Sequence, residues 1–128
     1  MQLHGPAAML LDVHDRFRRA TNALVEQPGA DRRHLFRRLL PVLRHHHHAE
    51  EIGLFPFVRR ETEDSLQPLI DDHARLDDAI AEAAGRLAHG DPTEALIRLR
   101  DVLHDHLDRE EAIVLPVLSG APPTWGRK

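Results

Sequence analysis

The segment VLRHHHHAEEIGLFPFV, residues 42–58, returns further along the chain as VLHDHLDREEAIVLPVL, residues 102–118. The two segments are offset by 60 residues and share Val, Leu, His, two Glu and Pro at matching positions. A second pair, LLDVHDRF at 10–17 and LIDDHARL at 69–76, is offset by 59 residues. The order of these four segments predicts a two-fold internal repeat, in which each half of the chain carries both motifs.

The apolar residues around these segments recur every three or four positions, which is typical of amphipathic helices. Turn-forming residues separate the helical stretches, most clearly Gly90, Asp91 and Pro92. We predict four helices, at about residues 7–27, 31–60, 65–88 and 92–118. Because the connections are short, an all-α, up-down-up-down four-helix bundle is expected.

Length and composition favour a single domain with a chemistry that does not use thiols. The chain of 128 residues is predicted to form one domain, with the bundle at about 7–118 and a loose C-terminal tail at 119–128. It has no Cys, so imidazoles and carboxylates are the available metal ligands. The net charge of −4 argues against nucleic-acid binding. Without a signal-peptide pattern or a membrane-spanning apolar run, we expect a cytoplasmic monomer or homodimer that does not bind membranes.

Polar residues interrupt the apolar stripe of every predicted helix at about its middle. They are His14, His46, Glu50, His73, His106 and Glu110. Burying so many ionisable groups is unfavourable unless something pairs with them, and a metal ion would do so. In each His-x-x-x-Glu pair the two residues are four positions apart, so both side chains lie on one helix face and can reach the same metal.

The repeat selects His46 from the run of four histidines at 45–48. Only His46 has a histidine at the matching position, which is His106, whereas His104 matches Arg44. The outer histidines of the run are predicted to face solvent or to support the ligands by hydrogen bonding. Four histidines and two carboxylates are too few for two separate closed sites, but they suffice for two metals that share both carboxylates as bridges.

This order of motifs, with Glu-Glu and Pro after each His-x-x-x-Glu, resembles the hemerythrin-like cation-binding family over roughly residues 8–118. The resemblance implies a non-haem di-iron centre with an oxo or hydroxo bridge. It implies that His14 and His46 bind one iron and that His73 and His106 bind the other. Glu50 and Glu110 would bridge the two. The choice of iron rests on this resemblance, because the usual affinity order of divalent metals favours copper or zinc.

The chain departs from the oxygen-carrying hemerythrins at two positions. They have a second His one turn after the third-helix His, where this chain has Asp77. Asp77 is therefore an exposed residue, a weak additional ligand, or a hydrogen-bond partner for bound water. They also take the fourth-helix carboxylate from the position of Glu111, so Glu111 is an alternative to Glu110. A further interpretation is that Glu111 and its match Glu51 are ordinary exposed helix residues.

The resemblance implies a protein that binds or senses O2, NO or peroxide. A second hypothesis is a di-iron oxidoreductase that consumes peroxide or acts as an oxidase. A third is an interaction module in which the metal only holds the fold. The sequence leaves open whether the protein is an enzyme. A coordination position open to a small molecule would favour the first two hypotheses over the third.

Overall fold

The computed structural model describes residues 5–26, 30–63 and 65–120, and every regular element in these ranges is helical. The elements are α1 (Gly5–Glu26), α2 (Ala30–Ala49), a π-helical turn (Glu50–Leu54), α3 (Phe55–Glu61), α4 (Gln67–Ala88) and α5 (Thr93–Gly120). Since α2, the π-helical turn and α3 follow one another without a break, the described residues form four helical rods. The all-α prediction with four helices is confirmed.

The helices begin and end close to the predicted residues because the turn-forming side chains act locally. Asp91 accepts hydrogen bonds from the backbone N–H of Thr93 at 3.0 Å and from its hydroxyl at 2.7 Å, which caps α5. Gly90 has a φ of 110°, a conformation that glycine adopts without strain. At its other end α5 continues through Gly120, two residues beyond the predicted 118. The rest of the predicted tail, 121–128, lies outside the described residues.

The π-helical turn gives the second rod a local geometry that the fourth rod lacks. The N–H of Phe55 donates to the carbonyl oxygen of Glu50, five residues earlier. The next residue, Pro56, has no N–H to donate, and its ring would clash with the carbonyl four residues before it in a regular α-helix. The matching Pro116 lies inside α5, which is α-helical throughout. The two halves of the chain therefore differ here despite their similar sequences.

Two apolar clusters lie along the rods, and the polar residues of each rod lie near the boundary between the clusters. The larger cluster includes Phe17, Leu43, Leu76, Leu103 and Leu107, and the smaller one includes Leu10, Phe55, Leu69 and Val114. Helix α5 packs against both α1 and α4, while α2 packs against α1. The central polar residues are thereby enclosed by apolar side chains along the rods. None of the helices in the described part of the chain has both the length and the apolar character needed to cross a membrane.

Candidate metal centre

The six residues predicted as ligands come together in two overlapping groups of potential metal-binding side chains. The first group consists of His14, His46, Glu50 and Glu110. The second consists of His47, Glu50, His73 and His106. Within each group the candidate ligand atoms lie within 4.8 Å of one another, and Glu50 belongs to both groups. The structure therefore brings the predicted residues of all four rods to one place and adds a histidine to them.

The atoms at the middle of this site lack the hydrogen bonds that buried polar atoms normally make. Among the described residues, nine buried side-chain atoms have no hydrogen-bond partner. They are the Nε2 atoms of His14, His46, His47, His73 and His106 and both carboxylate oxygens of Glu50 and Glu110. Eight of the nine form His–Glu pairs with 2.9–3.4 Å between the atoms but without hydrogen-bond geometry, and a buried polar atom left without a partner destabilises a fold by about 1–3 kcal/mol. All nine are imidazole nitrogens or carboxylate oxygens, so the donor set fits metal cations.

Three of the histidines contact a carboxylate through Nδ1, the ring nitrogen on the side away from the centre of the site. The Nδ1 atom of His14 lies 2.7 Å from Glu111, that of His73 lies 2.7 Å from Glu51, and that of His106 lies 3.1 Å from Asp72. When Nδ1–H donates to a carboxylate, Nε2 keeps its lone pair for a metal. This arrangement fixes the ring orientation and the tautomer of metal-binding histidines in many proteins. The same three Nε2 atoms are among the unpartnered atoms.

Glu110 and Glu111, the alternatives left open by the sequence, occupy different places. Glu110 is fully buried and belongs to the first group. Glu111 contacts His14 Nδ1 and forms an ion pair with Arg18 at 2.9 Å, outside both groups. Its match in the repeat, Glu51, contacts His73 Nδ1 in the same way that Glu111 contacts His14 Nδ1. The interpretation of Glu51 and Glu111 as ordinary exposed helix residues therefore leaves out a specific contact that each of them makes.

Asp72 is a site residue that the sequence reasoning missed. Its carboxylate is buried and accepts hydrogen bonds from Arg109 Nε at 2.9 Å, from His106 and from Arg75. Burial alone would raise the pKa of Asp72, but these cationic and polar neighbours hold it below its usual value. The available signal was the repeat, because Val13 occupies the matching position in the first half. Asp72 stands next to the candidate ligand His73, whereas its match, Val13, is apolar. This difference indicated a special role for Asp72.

His47 is the second residue that sequence reasoning missed, since the repeat selected only His46 from the run. It is 8% exposed, belongs to the second group, and stacks on the His73 ring with 4.0 Å between ring centroids. Its match in the repeat, Leu107, is fully buried, which was the signal that could have identified it. His45 and His48 are both exposed, as expected for residues of the run that face solvent.

Asp77, the other possible ligand, is exposed on α4 and belongs to neither group of described residues. Asp77 is exposed because Leu76 and Ile80 form the buried face of α4 and the Asp77 side chain lies off that face. The structure thus brings together His14, His46, Glu50, His73, His106 and Glu110, but not Asp77.

The two central carboxylates ionise very differently in the metal-free protein. Burial raises the pKa of Glu50, but its contacts with Glu110 and with three histidines outweigh burial and hold that pKa well below the usual value. Burial and the neighbouring Glu50 carboxylate both raise the pKa of Glu110. Burial lowers the pKa of His14, yet its contacts with Glu110 and Glu50 raise it to about 10. A cation that binds here must therefore displace protons.

The helical fold and this cluster define the chain as a helical metal-binding protein. The family model described as the hemerythrin HHE cation-binding domain matches residues 5–118. The chain therefore belongs to the hemerythrin HHE cation-binding family, which confirms the resemblance found in its sequence. No curated protein and no solved structure matches the chain.

Proposed function

We propose that this chain is a non-haem di-iron protein that binds or senses O2, NO or peroxide. In this proposal His14 and His46 bind one iron, His73 and His106 bind the other, and Glu50 and Glu110 bridge the pair. Six protein ligands for two ions leave coordination positions that a small molecule can occupy. A pair of irons supplies the redox chemistry for such ligands, while the protein orients the metals and keeps water away from them.

The observation that carries the proposal is the way each central carboxylate faces both groups of histidines. One oxygen of Glu50 lies 2.9 Å from His46 Nε2, and the other lies 3.4 Å from His73 Nε2. One oxygen of Glu110 lies 3.4 Å from His14 Nε2, and the other lies 3.1 Å from His106 Nε2. A carboxylate whose two oxygens point toward different sets of nitrogens is well suited to bridge two metals.

We further propose that the rods run up-down-up-down. We also propose that the matched ligands of the two halves arise from an internal repeat. The contacts between neighbouring rods support antiparallel packing, because residues of increasing number on one rod contact residues of decreasing number on the other. Between α1 and α5 the contacts are His14–Glu111, Arg18–Asp108 and Thr21–His104. Between α4 and α5 they are Asp72–Arg109 and Glu82–Arg98, and between α1 and α2 they are His14–His46 and Leu24–Arg32.

The test is a metal assay and an absorption spectrum of aerobically purified protein, recorded before and after peroxide and, for the reduced protein, after NO. The proposal predicts two irons per chain and absorption bands that change with each of these ligands. His48→Ala, which alters an exposed histidine, serves as the control and should behave like the wild type. Iron-loaded protein whose spectrum responds to none of the ligands would contradict the proposal.

The same preparation separates the proposal from its alternative, a peroxide-consuming or oxidase-like enzyme. Binding or sensing predicts a spectral change that stops after each site has reacted once. Continued consumption of peroxide or O2 in the presence of a reductant would favour the enzyme. The cytoplasmic location and the monomeric or dimeric state expected from the sequence stay predictions.

A further inference from the structure

We propose that His47 is a fifth histidine ligand, which binds the same metal as His73 and His106. The inference deepens the proposed metal site and rests on that site holding two metals. It makes the two metals unequal. One has three histidines from α2, α4 and α5, while the other has only His14 and His46.

The geometry at His47 is that of a ligand. Its Nε2 atom is buried and has no hydrogen-bond partner within the described part of the chain. A ring nitrogen of His47 lies within 4.8 Å of ligand atoms of Glu50, His73 and His106. The His47 ring stacks on His73 with an interplanar angle of 23° and meets His106 edge-on, with 5.5 Å between centroids. One ligand atom from each of three imidazoles and one carboxylate thus lies close enough to the others to bind the same metal ion.

The sequence position argues against a purely structural histidine. His47 continues the buried face of α2 between Leu43 and Glu50, where an apolar side chain would fill the space without an unpaired nitrogen. The matching position in the second half has such a side chain, Leu107, which is fully buried. The buried Nε2 of His47 loses hydration and gains no compensating hydrogen bond from the described residues, so packing alone gives no reason for it. A metal ion supplies the missing partner.

The first experiment compares His47→Leu with His48→Leu in titrations of the metal-free protein with Zn²⁺. Leucine occupies the matching buried position in the other half of the chain, so His47→Leu preserves an apolar packing that this fold already uses. His48 is the neighbouring exposed histidine. The proposal predicts that the wild type and His48→Leu bind two Zn²⁺. In His47→Leu one of the two sites should weaken by more than about tenfold, since losing even a supporting partner of a ligand has that effect.

A second measurement uses the wild-type protein and does not depend on the folding of a variant. In protein labelled with nitrogen-15 and loaded with cadmium-113, a bound imidazole shows a scalar coupling between the metal and its nitrogen. The proposal predicts this coupling for His47 Nε2 and two cadmium signals with different shifts. His45 and His48 should show no coupling.

The outcomes separate this inference from the wider function. Two metals bound with unchanged affinity by His47→Leu, or two cadmium ions bound without coupling to His47, would overturn the fifth ligand alone. Wild-type protein that binds no second metal would overturn both the fifth ligand and the dinuclear site. Weakening of one site in His47→Leu, together with coupling at His47, supports the proposal.

Discussion

At the scale of single residues, the site depends on carboxylates that hold histidine rings by Nδ1. Glu51 is partly exposed and contacts His73, so its removal leaves no stranded charge in the core. We expect Glu51→Ala to weaken metal binding by about tenfold, because partners of this kind orient the ligand and raise its basicity. Metal titrations of this variant and of Glu94→Ala, an exposed glutamate on α5, provide the measurement. Equal affinities in the two variants would show that the Glu51 contact does not influence the metal.

The register of the histidine run gives a second prediction. His46→Ala and His106→Ala should each lose most of the bound metal, because both Nε2 atoms lie among the unpartnered atoms of the site. His45→Ala and His48→Ala should retain it, since both side chains are exposed. Metal content after gel filtration distinguishes the four variants. Similar losses in all of them would mean that the repeat gives the wrong register.

Proton release on metal binding follows from the pKa of His14, which its carboxylate neighbours raise to about 10. The raised pKa means that His14 is protonated at neutral pH in the metal-free protein. A metal must displace this proton, so affinity should rise with pH until about pH 10, by up to about tenfold per unit for each proton released. Titration calorimetry in buffers of different ionisation enthalpy measures the released protons. Binding without proton release would contradict this assignment.

At this scale the repeat predicted the residues that the two halves share and missed those that break it. His46 and Glu110 were identified because each has an identical match. His47 and Asp72 match Leu107 and Val13, so a search for similarity passed over them. Which side of each helix faces the core also depends on packing between rods, which the sequence of one rod does not contain.

At the scale of the helices, the ends at Glu61, Gln67, Ala88 and Thr93, which lie inside the described stretches, are within two residues of the predicted ones. The agreement has a local cause, since Ser65 and Asp91 accept backbone N–H bonds at the starts of α4 and α5. The π-helical turn at Glu50–Leu54 was not predicted. Pro56 follows directly after the first residue of α3 at the end of this turn, but Pro116 stands at the same place in a regular helix. The difference is therefore set by the surroundings of each proline and not by the proline itself.

At the scale of the whole molecule, stability and metal binding should be coupled. Without metal, the nine unpartnered atoms of the site remain buried in the fold. Ions that bind the folded but not the unfolded chain raise its stability, by about 2.7 kcal/mol when free metal exceeds its dissociation constant 100-fold. We therefore expect the melting temperature to fall after chelation and to recover when metal is restored. Scanning calorimetry provides the measurement, and an unchanged melting temperature after verified removal would contradict the coupling.

The central claim is that two irons share one carboxylate-bridged site, and electron paramagnetic resonance of the oxidised protein tests it most directly. Bridged ferric ions couple antiferromagnetically, whereas isolated high-spin ferric ions give a strong signal. The account predicts that protein containing two ferric ions per chain is silent. A full-intensity signal of isolated ferric iron from the wild-type protein with both sites filled would contradict the shared site.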